Sequence, residues 1–153
     1  MPQTFSDEKY VYSVDMMFAF LKNNKHRIKK INVEEYIDVL DYPGWGDPSN
    51  NIYYSATDVI NNPIKYQDDY KRILKADLSY PIIISSDGFI VDGVHRLAKA
   101  HMTNKKLVKS YIFNEKLMKK FIITEKTPNV WEKIDNMPIY ELLNIYNERF
   151  CHK

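Results

Sequence analysis

Between Pro81 and His101 the chain places an acid, a glycine, an imidazole and a guanidinium within one short run, Asp92-Gly93-Val94-His95-Arg96. These residue types suit the binding of phosphate or another anion. A glycine lets the backbone come close to a bound group, and the first turn of a helix leaves unpaired N–H groups with a partial positive charge. Asp92 is an N-cap residue by type, so the spacing predicts that His95 and Arg96 lie in the first helical turn. A plainer reading uses the same residues. Asp92 then caps the helix and pairs with Arg96 at i,i+4, and His95 is a satisfied, half-buried side chain.

The elements around this run would aim it at one point. Ile82-Ile83-Ile84 is a β-branched apolar run, long enough for a buried strand. Asp87-Gly88 signals a two-residue turn and Phe89-Ile90-Val91 the return strand. Leu97, Ala98, Ala100 and Met102 give the following helix an apolar side with which to pack on the sheet.

The segment from about Ile31 to Phe113 resembles the ParB/sulfiredoxin superfamily, whose members are often described as ParB-like nuclease domains, and within it the stand-alone members. The resemblance rests on Ala76-Asp77-Leu78-Ser79-Tyr80-Pro81-Ile82 and on Ile90-Val91-Asp92-Gly93-Val94-His95-Arg96-Leu97-Ala98-Lys99-Ala100. It implies an α+β fold: a small mixed sheet flanked by helices, with extra N- and C-terminal helices. The implied organisation is an N-terminal helix over 1–25, the ParB/sulfiredoxin-like domain over 26–120, and a helical extension over 121–153 packed on that domain. The resemblance further implies a nucleotide phosphate held by Gly93, Val94, His95 and Arg96, with ATP as the first candidate among nucleoside tri- and diphosphates. Asp92 would be a catalytic carboxylate or an orienting ligand for Mg²⁺. Carboxylates after the first strand lie near the nucleotide in this superfamily, which makes Glu34 or Glu35 a candidate general base; acids favouring a helix N-terminus are the plainer account.

Different activities of the superfamily fit unequally. Sulfiredoxins place a nucleophilic Cys directly before the His-Arg pair. Val94 stands there and has no nucleophilic atom. Partition proteins carry Arg where His95 stands, together with a helix-turn-helix and a dimer domain for which this chain has no room. The Asp-Gly-x-His-Arg form is closer to the superfamily's small-molecule kinases, so a phosphotransferase acting on a small-molecule or protein hydroxyl is the leading expectation. A ParB-like DNA-binding protein or nuclease, using Asp92 and His95 on a phosphodiester, is the second. A binding module without catalysis is the third.

Composition narrows the field. With 153 residues the chain suits one hydrophobic core. Twelve tyrosines and ordinary charge content argue against disorder. The formal charge of +2 is far from the excess of a dedicated DNA-binding domain, leaving non-specific nucleic-acid contact as a local matter of lysines. One cysteine, Cys151, builds neither a disulfide framework nor a zinc cluster within one chain, and an intracellular setting, cytoplasmic or nuclear, is the default expectation. No basic segment precedes an apolar stretch of signal-peptide type. The most apolar run, Tyr10 to Leu21, contains Asp15 and is too short to span a bilayer, so no membrane partner is expected.

Elsewhere the pattern predicts a helix from Ser6, with Tyr10, Val14, Met17, Phe18 and Leu21 on one side; it reads as a core addition, with a homodimer contact as the sharper alternative. His26 to Val33 alternates as a half-buried strand, and Glu34 to Leu40 reads as a short helix. Asp41 to Asn51 is rich in Pro and Gly around Trp45, which could stack on a base, cover a substrate or plug the core edge. Ser55 caps a short helix, and a second runs from about Ile64 to Lys75 with Asp68, Asp69 and Arg72 on a solvated face. Lys106 to Phe113 is a strand, Asn114 caps a helix through Lys120, and Pro138 opens the last helix as its first residue. Lys99, Lys105, Lys106, Lys109, Lys116, Lys119 and Lys120 form either a nucleic-acid surface or a solvated lysine face.

Overall fold

The computed structural model describes residues 2–151. Its first elements are β1 (Thr4–Ser6), β2 (Tyr10–Ser13), α1 (Val14–Asn23) and β3 (Lys29–Asn32), followed by a 3₁₀ helix (Val33–Asp41). Next come β4 (Trp45–Asp47), a 3₁₀ turn (Pro48–Asn50), β5 (Ile52–Tyr54), α2 (Ala56–Asn61) and α3 (Gln67–Lys75). Then follow β6 (Ile82–Ile84), β7 (Ile90–Asp92), α4 (Val94–Met102) and β8 (Leu107–Ile112). The chain continues through α5 (Glu115–Lys119), β9 (Ile122–Glu125), α6 (Val130–Asp135) and α7 (Ile139–Phe150). The fold is mixed α+β. Its contacts divide the chain into two units. One is Ile28–Ile112; the other joins the segment up to Arg27 with the segment from Phe113 onward.

In the Ile28–Ile112 unit the sheet order is β3-β8-β6-β7. β6 runs parallel to β8 and antiparallel to β7, and β3 is antiparallel to β8. Ile82, Ile83 and Ile84 are all buried, as an interior strand apolar on both sides requires. Ile82 and Ile84 join Ile31, Val108, Leu97, Ala98 and Ala100 in the core, with Val33, Leu40, Val59 and Ile73 from the flanking helices. Each such isoleucine or leucine contributes about 1.5–3 kcal/mol by leaving water. The β6–β7 connection is a residue longer than the Asp87-Gly88 signal suggests. Ser85 and Phe89 close it, with Gly88 at φ 84° donating to the Ser85 carbonyl at 3.0 Å. This is the three-residue loop with a left-handed glycine.

Asp92 is not the cap of α4. It ends β7, and Gly93 occupies the N-cap with φ 113° and no side chain to offer. A Cβ on Gly93 would lie 2.5 Å from Cγ2 and 2.9 Å from Cβ of Ile82. The glycine therefore brings the helix start onto β6, and this contact by itself requires glycine. Capping elsewhere follows the sequence: Ser55 and Asp58 form a capping box on α2, and Asn114 accepts from Leu117 N at 2.8 Å at the start of α5. At the start of α7, Pro138 stands at the cap and Ile139 is the first helical residue.

In the second unit the helix expected from Ser6 does not begin there. Thr4–Ser6 and Tyr10–Ser13 form an antiparallel hairpin, with β9 beside β2, and α1 begins at Val14 under a Ser13 cap. Asp7 turns the chain. Its carboxylate accepts from the backbone N–H groups of Lys9 at 2.8 Å and Tyr10 at 2.7 Å, and from the Tyr12 hydroxyl at 2.6 Å. Burial opposes its charged form, but the bonds from Tyr12, Tyr10 and Lys9 outweigh that and hold the carboxyl below its ordinary 3.8. Phe20, Phe113, Phe121 and Phe150 pack as a ring cluster, with centroids 5.1–6.1 Å apart. Among the described residues, no helix is long and apolar enough to cross a membrane.

Gly93→Ala should destabilise the Ile28–Ile112 unit by about 2–5 kcal/mol. This combines left-handed strain of about 1–2 kcal/mol with overpacking of about 1–3 kcal/mol against Ile82. Urea unfolding followed by circular dichroism measures it, and a loss under about 1 kcal/mol would mean that the helix start has slack to move off β6.

Candidate functional site

Two linked groups of side chains lie at the start of α4. The first holds the helix to the chain entering β6. Arg96 Nη2 donates to Asp92 Oδ2 at 2.6 Å, while Nη1 donates to the carbonyls of Pro81 at 2.8 Å and Tyr80 at 3.3 Å. Asp92 ends β7 and Arg96 lies in the first turn of α4, so the pair bridges the Gly93 cap between strand and helix. Lys99, three residues further on, donates to the Ala76 carbonyl at 2.7 Å. The Asp77-Leu78-Ser79-Tyr80 run is itself folded by Asp77, which accepts from Ser79 N at 2.9 Å and Ser79 Oγ at 2.7 Å. Those two bonds hold the Asp77 carboxyl below its ordinary 3.8.

The second group is a chain of rings and one carboxylate. Trp45 and Tyr54 are register partners on β4 and β5, with rings edge to face at 6.5 Å. The other side of this hairpin end meets α4: the Trp45 and His95 rings stack at 4.4 Å and 16°. His95 Nε2 lies 3.3 Å from Asp69 Oδ1 on α3. The other oxygen, Asp69 Oδ2, accepts from the Tyr54 hydroxyl, and Tyr54 stacks on Tyr66 at 4.3 Å. Arg72 Nη1 stands 3.9 Å from Asp69 Oδ1, but its side chain is largely exposed, so this ion pair adds little. The Asp69 side chain is only 15% exposed and that of His95 32%, so the His95–Asp69 bond is sheltered while the imidazole keeps access to solvent. An open hollow of about 370 Å³ lies alongside, sharing Tyr54 and Asp69 with the chain and bounded further by Lys65, Tyr66 and Asp68.

The residues singled out by sequence are thus partly united. Trp45 and His95 touch; Asp92 and Arg96 touch; Gly93 sits on Ile82; Val94 packs against the core. Glu35 is not brought to Asp92 or His95 by any described contact. Val33, Tyr36, Ile37 and Leu40 pack into the core from its 3₁₀ helix, and Glu35 is left exposed beside Asn32 Nδ2 at 3.5 Å. Asp69 was expected on a solvated face and is instead the hub of the ring chain. Tyr66, Tyr70 and Ile73 pack against the core from α3 and its N-cap. Asp69 falls between them at i+3 from Tyr66 and i−4 from Ile73, so its place on the inward stripe was readable from helical spacing. Tyr54 carried no such signal, because a three-residue strand says little about facing.

A group of three or more His, Cys, Asp or Glu side chains able to hold a metal does not occur among the described residues. Asp92 is a single carboxylate already bonded to Arg96, and this donor set does not build a cage for Mg²⁺.

The bond from Tyr54 to Asp69, then burial, then the carboxylate's charge push the Tyr54 phenol up to about 12 from its ordinary 10.0. A raised value in the folded state means that this contribution to stability is complete below about pH 10 and disappears as pH rises through about 12. Ultraviolet titration of the wild type minus Tyr54→Phe should isolate one phenol ionising near that upper value, and Asp69→Ala should bring it down towards the others. A Tyr54 that ionises with the bulk would show that the hydroxyl does not face the carboxylate.

Comparison of the chain with protein-family models, with curated proteins and with solved structures returned no match.

Proposed function

We propose that the Ile28–Ile112 unit is a nucleotide-phosphate-binding domain related to the ParB/sulfiredoxin superfamily, and that it transfers phosphate to a hydroxyl of a small molecule or protein. One observation carries this reading most directly. His95 projects from the first turn of α4, fixed by Asp69 and stacked on Trp45, at a helix start whose cap is a glycine without a side chain. Unpaired N–H groups and an imidazole there favour an anion, worth about 0.3–1 kcal/mol from the helix charge alone and more in a sheltered setting.

In this reading the helix N–H groups and His95 hold the phosphate being transferred. The acceptor hydroxyl oxygen attacks the terminal phosphorus, the bond to the leaving nucleotide oxygen breaks, and the hydroxyl proton passes to a base. Asp92 is the first carboxylate for that role, because it ends β7 one residue before the helix cap. Glu35 is the second candidate, although its exposed position gives it no described link to the site. Mg²⁺, carried in by the nucleotide, would supply charge neutralisation on the phosphates. Arg96 has a different weight here. With three described bonds to Asp92, Tyr80 and Pro81, it serves this site chiefly by holding the strand end and the helix start together.

That assignment selects the variant for the test. Arg96→Ala would leave a part-buried carboxylate and two carbonyls without their donor, at about 1–3 kcal/mol, and so confuse binding with folding. His95→Ala does not. Isothermal titration with ATP, ADP, CTP and GTP in the presence of Mg²⁺ should give saturable binding of one of them, weakened tenfold or more by His95→Ala. Binding to none would sink the nucleotide reading, and binding without turnover would leave a non-catalytic module.

A second reading is nucleic-acid contact or cleavage. Lys30 and Lys109 are register partners across β3 and β8, with Lys29, Lys105 and Lys106 nearby in the chain. Like charges placed opposite one another repel, and a phosphate backbone would relieve them. Lys99 is not part of such a surface, because its ammonium is bound to the Ala76 carbonyl. A double-stranded DNA complex should then lose affinity steeply with salt, and Lys30→Glu should weaken it while leaving nucleotide binding unchanged. Equal DNA affinity in Lys30→Glu would remove this surface from consideration.

A further inference from the structure

We propose that Asp69 is the positioning residue for His95. It accepts the hydrogen bond of the Nε2–H group, fixes the imidazole plane against Trp45, and leaves Nδ1 as the nitrogen offered to a ligand at the start of α4. A carboxylate oxygen accepts hydrogen bonds, so the 3.3 Å approach of Nε2 to Asp69 Oδ1 places the ring proton on Nε2. The carboxylate cannot turn away freely, because the Tyr54 hydroxyl holds Oδ2 from the opposite side. Nor can the imidazole tilt freely, because the Trp45 indole lies against its face at 4.4 Å. Three elements, the paired strands β4 and β5 and the helix α3, thus fix one side chain on α4. A histidine that served only to fill space would need none of this agreement: stacking on Trp45 alone would bury the ring.

The arrangement parallels a base held by an orienting carboxylate, in which the second nitrogen meets the reacting group. Tyr54 extends it by one further group. Removing Tyr54's hydroxyl would free the carboxylate without deleting it, which makes Tyr54 a weaker, second positioning residue. That Nδ1 meets phosphate, as the second N–H of an imidazolium, rests on the nucleotide reading above; that Asp69 sets the Nε2 proton and the plane of His95 does not.

The first measurement is ¹⁵N-resolved NMR of the ligand-free protein, with the His95 ring signals identified by their absence in His95→Gln. The wild type should show a hydrogen-bonded Nε2–H proton that exchanges slowly with water. Asp69→Ala should abolish it, Tyr54→Phe should keep it with exchange several-fold faster, and Arg72→Ala should leave it unchanged. A wild-type ring that carries its proton on Nδ1 and none on Nε2, or an Nε2–H signal untouched by Asp69→Ala, would overturn the proposal. Tyr54→Phe stands as the milder probe if Asp69→Ala fails to fold, and exchange unchanged in that variant would remove Tyr54 from the scheme. The second measurement is a double-mutant cycle on the affinity for whichever nucleotide binds. Asp69→Ala should weaken binding about tenfold with His95 present and not at all in the His95→Ala background; equal effects in both would show that Asp69 does not act through His95. Should no nucleotide bind, the ligand reading fails while the NMR result still decides the role of Asp69.

Discussion

The first turn of α4 can rest on β6 only because residue 93 has no side chain. With 2.5 Å between its missing Cβ and the Ile82 methyl, that contact sets how far the helix start lies from the sheet. Everything at the site inherits the setting. Arg96 then reaches back to the carbonyls of Tyr80 and Pro81, Lys99 reaches Ala76, and Leu97, Ala98 and Ala100 close the core beneath. The guanidinium and ammonium tie the chain entering β6 to the helix leaving β7. The hairpin and the helix are thereby fastened at both ends, and His95 is carried on a support with little freedom to shift.

A single glycine thus answers two demands that are easily confused. In a sequence, Asp-Gly before a His-Arg pair suggests an opening for a phosphate. In the fold, the same glycine is already required by Ile82. The two roles are compatible, since a phosphate would approach the helix N–H groups from the end and Ile82 meets the residue from the sheet. The glycine is therefore poor evidence for a ligand. The better evidence lies in the agreement of Trp45, Asp69 and Tyr54 around His95, which packing against β6 does not require.

Much of the fold was legible in the residues. The isoleucine run, the hairpin, the apolar side of α4, the Ser55 cap and the Asn114 cap all follow from local chemistry, and local chemistry decided them. What failed did so for physical reasons. Ser6-Asp7-Glu8 looks like a helix start, but Asp7 bonds the N–H groups of Lys9 and Tyr10 in a turn, and Tyr12 completes the competition from across the hairpin. Asp92 looked like a cap, but the helix begins one residue later and Arg96 claims the carboxylate. Helical spacing gives Asp69 an inward face, but not its partners: Tyr54 and His95 lie 15 and 26 residues away, and only folding brings them together.

The order of the larger sheet has a consequence for how copies of this protein meet one another. β3 is a terminal strand, with one row of backbone N–H and C=O groups beyond its pairing to β8. Such a rim is a template for another chain. Here the rim strand is Lys29-Lys30-Ile31-Asn32, and Lys30 faces Lys109 across the pair. A second sheet arriving rim to rim would stack these ammonium groups at strand spacing, about 4.8 Å, before its hydrogen bonds had formed. Crowded copies of this protein therefore meet a charge barrier at this margin, independently of whatever the lysines hold in solution.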